Sequence, residues 1–206
     1  MHLDPQQLSS SELYRFLITA VVPRPIALVS TRAADGHTNV APFSFFNAIS
    51  SEPPIVMLAI NDRADDPKDT LRNIRETREF VINVVHGPLL QAMVRTAGEW
   101  PRGTSEFDVA ELTPVPAVRV AAPAVKESPI HIECVLHREV EVGKSFVVFG
   151  EVVFAWVDDA VLTDGRVDPV KLAPVGRLGG ELYSLTTQVV KVPRPRVSRA
   201  GGESHD

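Results

Sequence analysis

The chain has 206 residues, which is long enough for one large domain with a substantial buried core. Hydrophobic residues make up 44% and charged residues 23%, an ordinary globular composition that argues against disorder of the whole chain. A net charge of −5 disfavours a general nucleic-acid binder, because that class usually needs a basic surface. A protein that handles a small molecule fits these numbers better.

Compartment signals in the sequence favour the cytoplasm. Cys134 is the only cysteine, so no intrachain disulfide can form, in agreement with a reducing compartment. Residues 1–11 lack the basic start and apolar run of a signal peptide. The apolar stretches are strand-sized rather than membrane-spanning, so we expect no membrane segment.

The N-terminal part predicts one helix and then a break. Residues 12–20 have helical periodicity, and Ser10 or Ser11 is the expected N-cap. The expected inner face of this helix consists of three apolar residues: Leu13, Phe16 and Leu17. Pro23-Arg24-Pro25 follows and cannot continue a helix.

Strands and one further helix are predicted over the next sixty residues. The runs 26–31, 55–60 and 80–85 are rich in β-branched and apolar residues, and Asp35-Gly36 is a hairpin-turn signal. A helix is expected to start with Asp66 as N-cap, Pro67 in the first turn and Asp69 at the positive end of the dipole, with Leu71 and Ile74 facing inward.

The second half is less regular at first and then strongly β. Residues 89–97 suggest a helix, but prolines interrupt the rest of 87–129. The runs 130–141 and 145–157, joined at Gly143-Lys144, predict a long hairpin. Further features are a turn at Asp164-Gly165, a last strand over 183–190 and a flexible tail over 193–206.

Strands spaced by turns, with few helices, indicate a mainly β fold: a closed or partly closed antiparallel barrel with helices packed outside. Neither a repeat nor a second domain is visible. We therefore expect one domain over residues 1–192.

Five segments, in this order along the chain, carry a family resemblance. They are PRPIALVST at 23–31, NVAPFSFFNAISSEPP at 39–54, KDTLRNI at 68–74 with EFVIN at 79–83, FGEVV at 149–153, and RLGG at 177–180 with Tyr183 after it. Together they resemble the flavin reductase-like, FMN-binding split-barrel family. The resemblance implies an antiparallel split β-barrel, a homodimer and FMN near the subunit interface, with FAD as the alternative flavin.

The resemblance also implies an activity. Many members pass hydride from NADH or NADPH to flavin, and the reduced flavin then serves a partner monooxygenase. Other members are non-enzymatic flavin carriers or electron-transfer flavoproteins, and a relative that had lost flavin would be an interaction module. Since hydride transfer requires no protein acid or base, the sequence assigns no catalytic residue. A nicotinamide nucleotide would have to dock without a Rossmann fingerprint, because the sequence contains no GxGxxG motif.

Flavin binding requires apolar surroundings for the ring, polar partners for the ribityl chain, and N–H groups or a cation for the phosphate. The segment 41–50 offers the first two. Its candidate contacts are Ala41, Phe43, Ser44, Phe45, Phe46, Asn47 and Ser50. The alternative is a core strand and turn whose phenylalanines are simply buried.

Two further segments are candidates for the phosphate. Lys68, Asp69 and Thr70 at a helix start form a plausible cradle, with Asn61 facing the same site. The alternatives are an ordinary capped surface helix and a turn-forming asparagine. Arg177 is a candidate to bind phosphate or stabilise reduced flavin, and Gly180, after Gly179, allows close backbone approach. A tight turn explains the two glycines equally well.

The strand over 130–141 raises one rival interpretation. His131, Glu133 and His137 fall on one face of this strand, which invites a metal site, but their spacing matches no strong metal signature. We expect a solvated strand face instead. Cys134, on the opposite apolar face, is expected to be a buried small hydrophobe rather than a nucleophile.

Overall fold

A computed structural model describes residues 2–61, 67–101 and 103–195. The helices are α1 Ser10–Ala20, α2 Asp69–Thr77, α3 Leu90–Thr96, α4 Glu106–Val109 and α5 Pro169–Leu172, with 3-10 turns at Pro5–Gln7, Gly87–Leu89 and Asp159–Val161. The strands are β1 Arg24–Pro25, β2 Ala27–Arg32, β3 Thr38–Phe43, β4 Phe46–Ser51, β5 Pro54–Asn61, β6 Glu79–Val84, β7 Pro114–Val115, β8 Ala124–Val125, β9 Ile130–Val142, β10 Ser145–Val157, β11 Leu162–Thr163, β12 Arg166–Val167, β13 Val175–Gly179 and β14 Leu182–Leu185. None of the helices in the described ranges has both the length and the apolar character needed to cross a membrane.

The main sheet has seven antiparallel strands in the order β3-β2-β6-β9-β10-β5-β4. Its two edge strands, β3 and β4, follow each other in the chain and are joined only by Ser44 and Phe45. The sheet must therefore curl until its edges meet. The Ala59 amide donates to the Phe45 carbonyl at 2.8 Å, which holds this junction to β5. The result is the mainly β split barrel that the sequence predicts.

The barrel interior is filled by alternate apolar side chains of its strands and closed by α2. Leu71 and Ile74 of α2 are fully buried in this core, as predicted. The other buried members are Ala27, Val29, Phe43, Val56, Leu58, Ile60, Phe80, Ile82, Cys134, Leu136 and Val148. Each fully buried large apolar side chain contributes about 1.5–3 kcal/mol, so this cluster is the main source of barrel stability.

Two smaller units pack outside the barrel. A second apolar cluster places Met93 of α3 and Phe107 of α4 against Leu28 and Val40 on the outer face of β2 and β3. A three-stranded sheet, β1-β13-β14, lies beside α1. These units hold the segments that flank the split between β3 and β4.

The structure corrects two details of the helix predictions. Ser9, rather than Ser10 or Ser11, is the N-cap of α1, because Ser9 and Glu12 form a reciprocal capping box. The predicted inner face is only partly buried: Leu13 is half-buried, whereas Phe16 and Leu17 are 43% and 45% exposed. In one chain, α1 therefore has an apolar surface that the fold does not cover.

The start of α2 also differs from the prediction. The helix begins at Asp69, with Lys68 as N-cap, so Pro67 precedes the first turn. The predicted N-cap, Asp66, lies outside the described residues. Asp69 is in the first turn, as expected, where its charge favours the helix dipole.

The long hairpin of β9 and β10 is confirmed, but its predicted solvated face is only partly so: His137 is exposed as expected, whereas His131 and Glu133 are not. His131 and Glu133 are buried because the proline-rich segment before β9 folds over them. Glu133 accepts hydrogen bonds from the backbone amides of Val118 at 2.8 Å and Arg119 at 2.6 Å. His131 stacks on Trp156, with the ring centroids 4.8 Å apart.

The predictions for the other elements hold in outline. Cys134 is buried, and burial raises the pKa of its thiol, so it is a small hydrophobe as expected. The turns at Asp35-Gly36 and Asp164-Gly165 join antiparallel strand pairs. The last strand, β14, ends at Leu185 rather than Val190. Of the predicted tail, residues 193–195 are exposed and irregular, and 196–206 lie outside the described residues.

Candidate functional site

A cleft of about 550 Å³ opens where the barrel is split. One wall is the end of β3 and its connection to β4. The others are the start of α2, the turn that follows α3, and the end of β13. The volume is within the range of about 300–1,000 Å³ that is usual for small-molecule sites.

The cleft brings together most of the residues predicted to bind flavin. Those that line it are Ala41, Phe43, Ser44, Phe45, Asn61, Lys68, Asp69, Thr70, Arg177 and Gly180. They come from four distant parts of the chain, and only the fold places them around one space. This convergence is the main structural support for a common site.

Three predicted residues do not line the cleft. Phe46 packs against the barrel core. Asn47 and Ser50 are exposed on β4, and their side chains accept hydrogen bonds from nearby backbone amides, those of Ala48 at 2.9 Å and Glu52 at 3.1 Å. Within one chain, these three residues are separate from the site, and their contact with flavin stays a prediction.

The predicted phosphate cradle lies at the start of α2, where the first-turn N–H groups point towards the cleft end of the helix. Lys68 provides the positive charge, and its Nζ lies 5.6 Å from the centroid of the Phe43 ring. The Thr70 side chain is buried and hydrogen-bonded to the Asn39 amide at 2.8 Å. Asp69 forms an ion pair with Arg72 at 2.6 Å, which offsets the negative charge beside the cradle.

Glu106 is a cleft residue that the sequence reasoning missed. Its carboxylate accepts from the Val40 amide at 3.3 Å. The Asn39 amide is best oriented so that its nitrogen donates to Glu106 Oε1 at 3.2 Å and its oxygen accepts from the Thr70 hydroxyl at 2.8 Å. Burial raises the pKa of Glu106, and Asp69 raises it further. The residue belongs to a four-residue helix in an irregular segment, so no sequence pattern marks it.

Arg24 is a second missed residue, although it lies within the family-like PRPIALVST motif. It is only 6% exposed and lines the cleft. Its Nη1 donates to the carbonyls of Ile18, Val21 and Leu178, and its Nε donates to Ser44 Oγ at 3.3 Å. Arg24 therefore ties α1 and β13 to the connection between β3 and β4. Its flanking prolines explain why the sequence suggested only a helix break.

Arg177 and Gly180 form the end of the cleft on β13. The Arg177 guanidinium donates to the Tyr183 hydroxyl and to the Gly180 carbonyl, and it lies 4.6 Å from the centroid of the Tyr183 ring. Gly180 has a φ of +54°, a backbone conformation that glycine adopts without strain. The turn is thus both a tight connection and a cleft wall, so the two sequence interpretations are compatible.

Trp100 provides an aromatic surface at the cleft that the sequence did not single out. Its indole nitrogen donates to the Arg95 carbonyl at 3.0 Å, and 44% of the residue is exposed. The ring lies against Gly98, where a Cβ would come within 2.7 Å of the indole nitrogen. Gly98 therefore permits this ring position, and the irregular segment after residue 87 contributes a wall of the site.

These features suit a flavin. Phe43, Phe45 and Trp100 offer apolar and aromatic surface, Ser44 offers a hydroxyl, and basic side chains lie at two places on the rim. The buried Cys134, His131 and Glu133 do not line the cleft. The described residues contain no group of three or more His, Cys, Asp or Glu side chains placed to hold a metal ion.

The chain belongs to the flavin reductase-like family, because residues 19–171 match the sequence profile of the flavin reductase like domain. An uncharacterized protein of Aquifex aeolicus is 41% identical over 89% of this chain and 94% of its own length. The crystal structure of nitrilotriacetate monooxygenase component B from Bacillus cereus is similar with a TM-score of 0.90 and 30% identity, covering 93% of this chain and 98% of that one.

A second solved structure has a comparable similarity. The 2-nitrobenzoate 2-nitroreductase NbaA of Pseudomonas fluorescens has a TM-score of 0.88 and 30% identity, covering 98% of this chain and 100% of that one. The family and these structural neighbours support a flavin-related oxidoreductase function.

Proposed function

We propose that the protein binds FMN in the cleft and works as an NAD(P)H-dependent flavin reductase. The observation that carries this proposal is the convergence of residues 41–45, 68–70, 177 and 180 around one space at the split. FAD is the less favoured flavin.

The residues that line the cleft match the separate needs of a flavin nucleotide. Phe43 and Phe45 give apolar contact for the ring system, and Ser44 gives a polar partner for the ribityl chain. Lys68 and the N–H groups at the start of α2 would hold the phosphate, since a helix N-terminus and a cation both favour an anion.

A flavin held by Phe43, Phe45 and Lys68 would supply the redox chemistry, that is, the capacity to accept a hydride from NADH or NADPH. The protein's part is positional. The core residues packed around Phe43 exclude water from the inner wall, and the rim at Trp100 is open to solvent, where a nicotinamide nucleotide can enter. Such positioning lowers the barrier without a protein acid or base.

We also propose a homodimer, in which a second copy covers the exposed apolar side chains of one chain. Contiguous exposed apolar surface commonly marks an interface, and twofold pairing is the commonest arrangement of soluble oligomers. The exposed residues concerned are Tyr14, Phe16 and Leu17 on α1, Ile49 on β4, and Leu182 and Leu185 on β14. In such a dimer, Asn47 and Ser50 of β4 contact flavin across the interface.

The reduced flavin is proposed to serve a partner monooxygenase. The similarity to a structure described as component B of nitrilotriacetate monooxygenase supports this role. Alternatively, the chain is an FMN carrier or electron-transfer flavoprotein that does not turn over nicotinamide nucleotides.

The direct test is steady-state oxidation of NADH and NADPH by the purified protein. We expect oxidation to require added FMN and to saturate with it, because flavin is the acceptor. The Phe45→Ala variant should weaken FMN binding, whereas Phe149→Ala, which removes an aromatic residue outside the cleft, serves as the matched control. Absence of FMN and FAD binding at micromolar concentration would refute the proposal.

A further inference from the structure

Two arginines face each other across the small sheet beside the cleft. Arg24 of β1 and Arg177 of β13 are direct partners in the antiparallel register, so their side chains lie on the same face. Both residues line the cleft. Like charges directly opposite each other in a β-ladder are destabilising, so this pair needs an explanation.

The burial of Arg24 makes the arrangement more costly. Burial lowers the pKa of Arg24, and the charge of Arg177 lowers it further, which means that the protonated form is disfavoured there. Arg24 uses Nη1 and Nε for protein acceptors. Among the described residues, its Nη2 has no hydrogen-bond acceptor.

No carboxylate in the described part of the chain forms an ion pair with either arginine. Three other arginines do have one: Arg72 with Asp69, Arg75 with Glu139, and Arg95 with Glu111. A buried charge without a counter-ion is costly, since removal from water is not repaid by attraction. The protein thus keeps two adjacent positive charges at the cleft, and no carboxylate of the described residues forms an ion pair with either of them.

The geometry points to an anion subsite formed by Arg24 and Arg177, which binds a phosphate group of a nucleotide in the cleft. Two guanidinium groups match the charge of a phosphate dianion, and their planar N–H forks match its oxygens. The carbonyls bound by Arg24 and the Tyr183 hydroxyl bound by Arg177 hold both groups in place before the ligand arrives. The identity of the nucleotide rests on the proposed function.

This subsite differs electrostatically from the cradle at the start of α2. The cradle cation, Lys68, has the carboxylates of Asp69 and Glu106 in the same part of the cleft. Neither arginine of the pair forms an ion pair with a carboxylate of the described residues. The proposed function places the single phosphate of FMN at the start of α2, so the nicotinamide nucleotide is the expected source of the phosphate at the arginine pair. Binding of the FMN phosphate to the arginines instead is the other outcome that the experiment separates.

The first arm tests the subsite without any flavin. The midpoint of thermal unfolding is compared in inorganic phosphate and in sodium chloride at equal ionic strength. Both salts then screen the repulsion between Arg24 and Arg177 equally, so a difference between the midpoints reports binding of phosphate. Phosphate about tenfold above its dissociation constant should raise the midpoint by about 3 °C or more over chloride. The extra shift should disappear in Arg177→Gln and persist in Arg138→Gln, whose guanidinium also lies over an aromatic ring but outside the cleft.

Equal midpoints in phosphate and chloride for the wild-type protein would overturn the inference, whatever the variants do. An extra shift that Arg177→Gln retains would overturn it as well. Should Arg177→Gln fail to fold, Arg177→Lys keeps the charge but loses the fork, and it should retain only part of the shift.

The second arm identifies the source of the phosphate in Arg177→Gln. A tenfold or larger fall in the ratio of FMN to riboflavin affinity assigns the subsite to the flavin phosphate. An unchanged ratio with a tenfold rise in KM for NADH and constant kcat assigns it to the nicotinamide nucleotide. If neither quantity moves, the assignment to a nucleotide is wrong. If the wild-type protein binds neither FMN nor riboflavin, the proposed function fails, while the phosphate arm still decides the anion subsite.

Discussion

Replacing Lys68 with alanine should selectively weaken the binding of FMN relative to riboflavin. The two flavins share the ring and the ribityl chain and differ only in the phosphate. Lys68 is the N-cap of α2 and lines the cleft beside the free N–H end of that helix. A hydrogen bond to a charged group is worth about 1.5–3 kcal/mol, which corresponds to about a 10- to 150-fold change in affinity. Because Lys68 is exposed and solvent screens its charge, we expect a loss at the lower end of this range, about tenfold.

The assay is equilibrium titration of the Lys68→Ala protein with FMN and with riboflavin, followed by flavin absorbance or fluorescence. Riboflavin affinity should stay close to wild type, apart from any small loss of the Lys68 contact with Phe43. Lys144→Ala, an exposed lysine in the turn between β9 and β10, controls for net charge. An equal loss for both flavins, or no loss for either, would show that the phosphate does not bind at the start of α2.

Three further predictions concern stability, pH and the second chain. Gly150→Ala places a Cβ 2.4 Å from Phe80 Cζ in the barrel core, so the free energy of unfolding measured in urea should fall by about 1–3 kcal/mol. Gly87→Ala is the control: its Cβ would meet open space, so the free energy of unfolding should stay close to wild type. Burial raises the pKa of Glu106, so the protonated side chain favours the folded state at low pH, and this stabilisation is lost as the pH rises through the raised pKa. The Glu106→Gln variant, which cannot ionise, should therefore be more stable than wild type at pH 7. The difference in the free energy of unfolding should vanish at about pH 4. Asn47→Ala should weaken FMN binding by about 1–2 kcal/mol in the dimer. The dimer is required because Asn47 lies outside the cleft of one chain. Unchanged FMN affinity of the variant, in a dimer confirmed by light scattering, would remove Asn47 from the site.

The strands were predictable because burial of one or both faces of a strand leaves a regular pattern of apolar residues in its sequence. The run 55–60 and the long hairpin over 130–157 alternate or stay apolar in register with their partners, as the ladder between β5, β10 and β9 requires. The resemblance then supplied what periodicity cannot, namely that segments around residues 43, 69 and 177 meet at one cleft.

The missed residues depend on contacts between distant segments. Arg24 belongs to the cleft because the carbonyls of Ile18 on α1, Val21 just after α1 and Leu178 on β13 surround it. Glu106 belongs to it because its short helix packs against β3. The buried state of His131 and Glu133 depends on a proline-rich segment that has hardly any regular structure of its own. None of these contacts has a local sequence signature, so the pattern of polar residues on β9 suggested solvent instead.

The central claim is that flavin bound in the cleft is reduced by a nicotinamide nucleotide. The most direct measurement is anaerobic rapid mixing of the FMN-loaded protein with NADH or NADPH, followed by the visible absorbance of the flavin. Our account predicts that at least one nucleotide bleaches the flavin and that reduced flavin is then released. Bleaching by dithionite, but by neither nucleotide at millimolar concentration over minutes, would contradict it and identify the protein as a flavin carrier or electron-transfer flavoprotein.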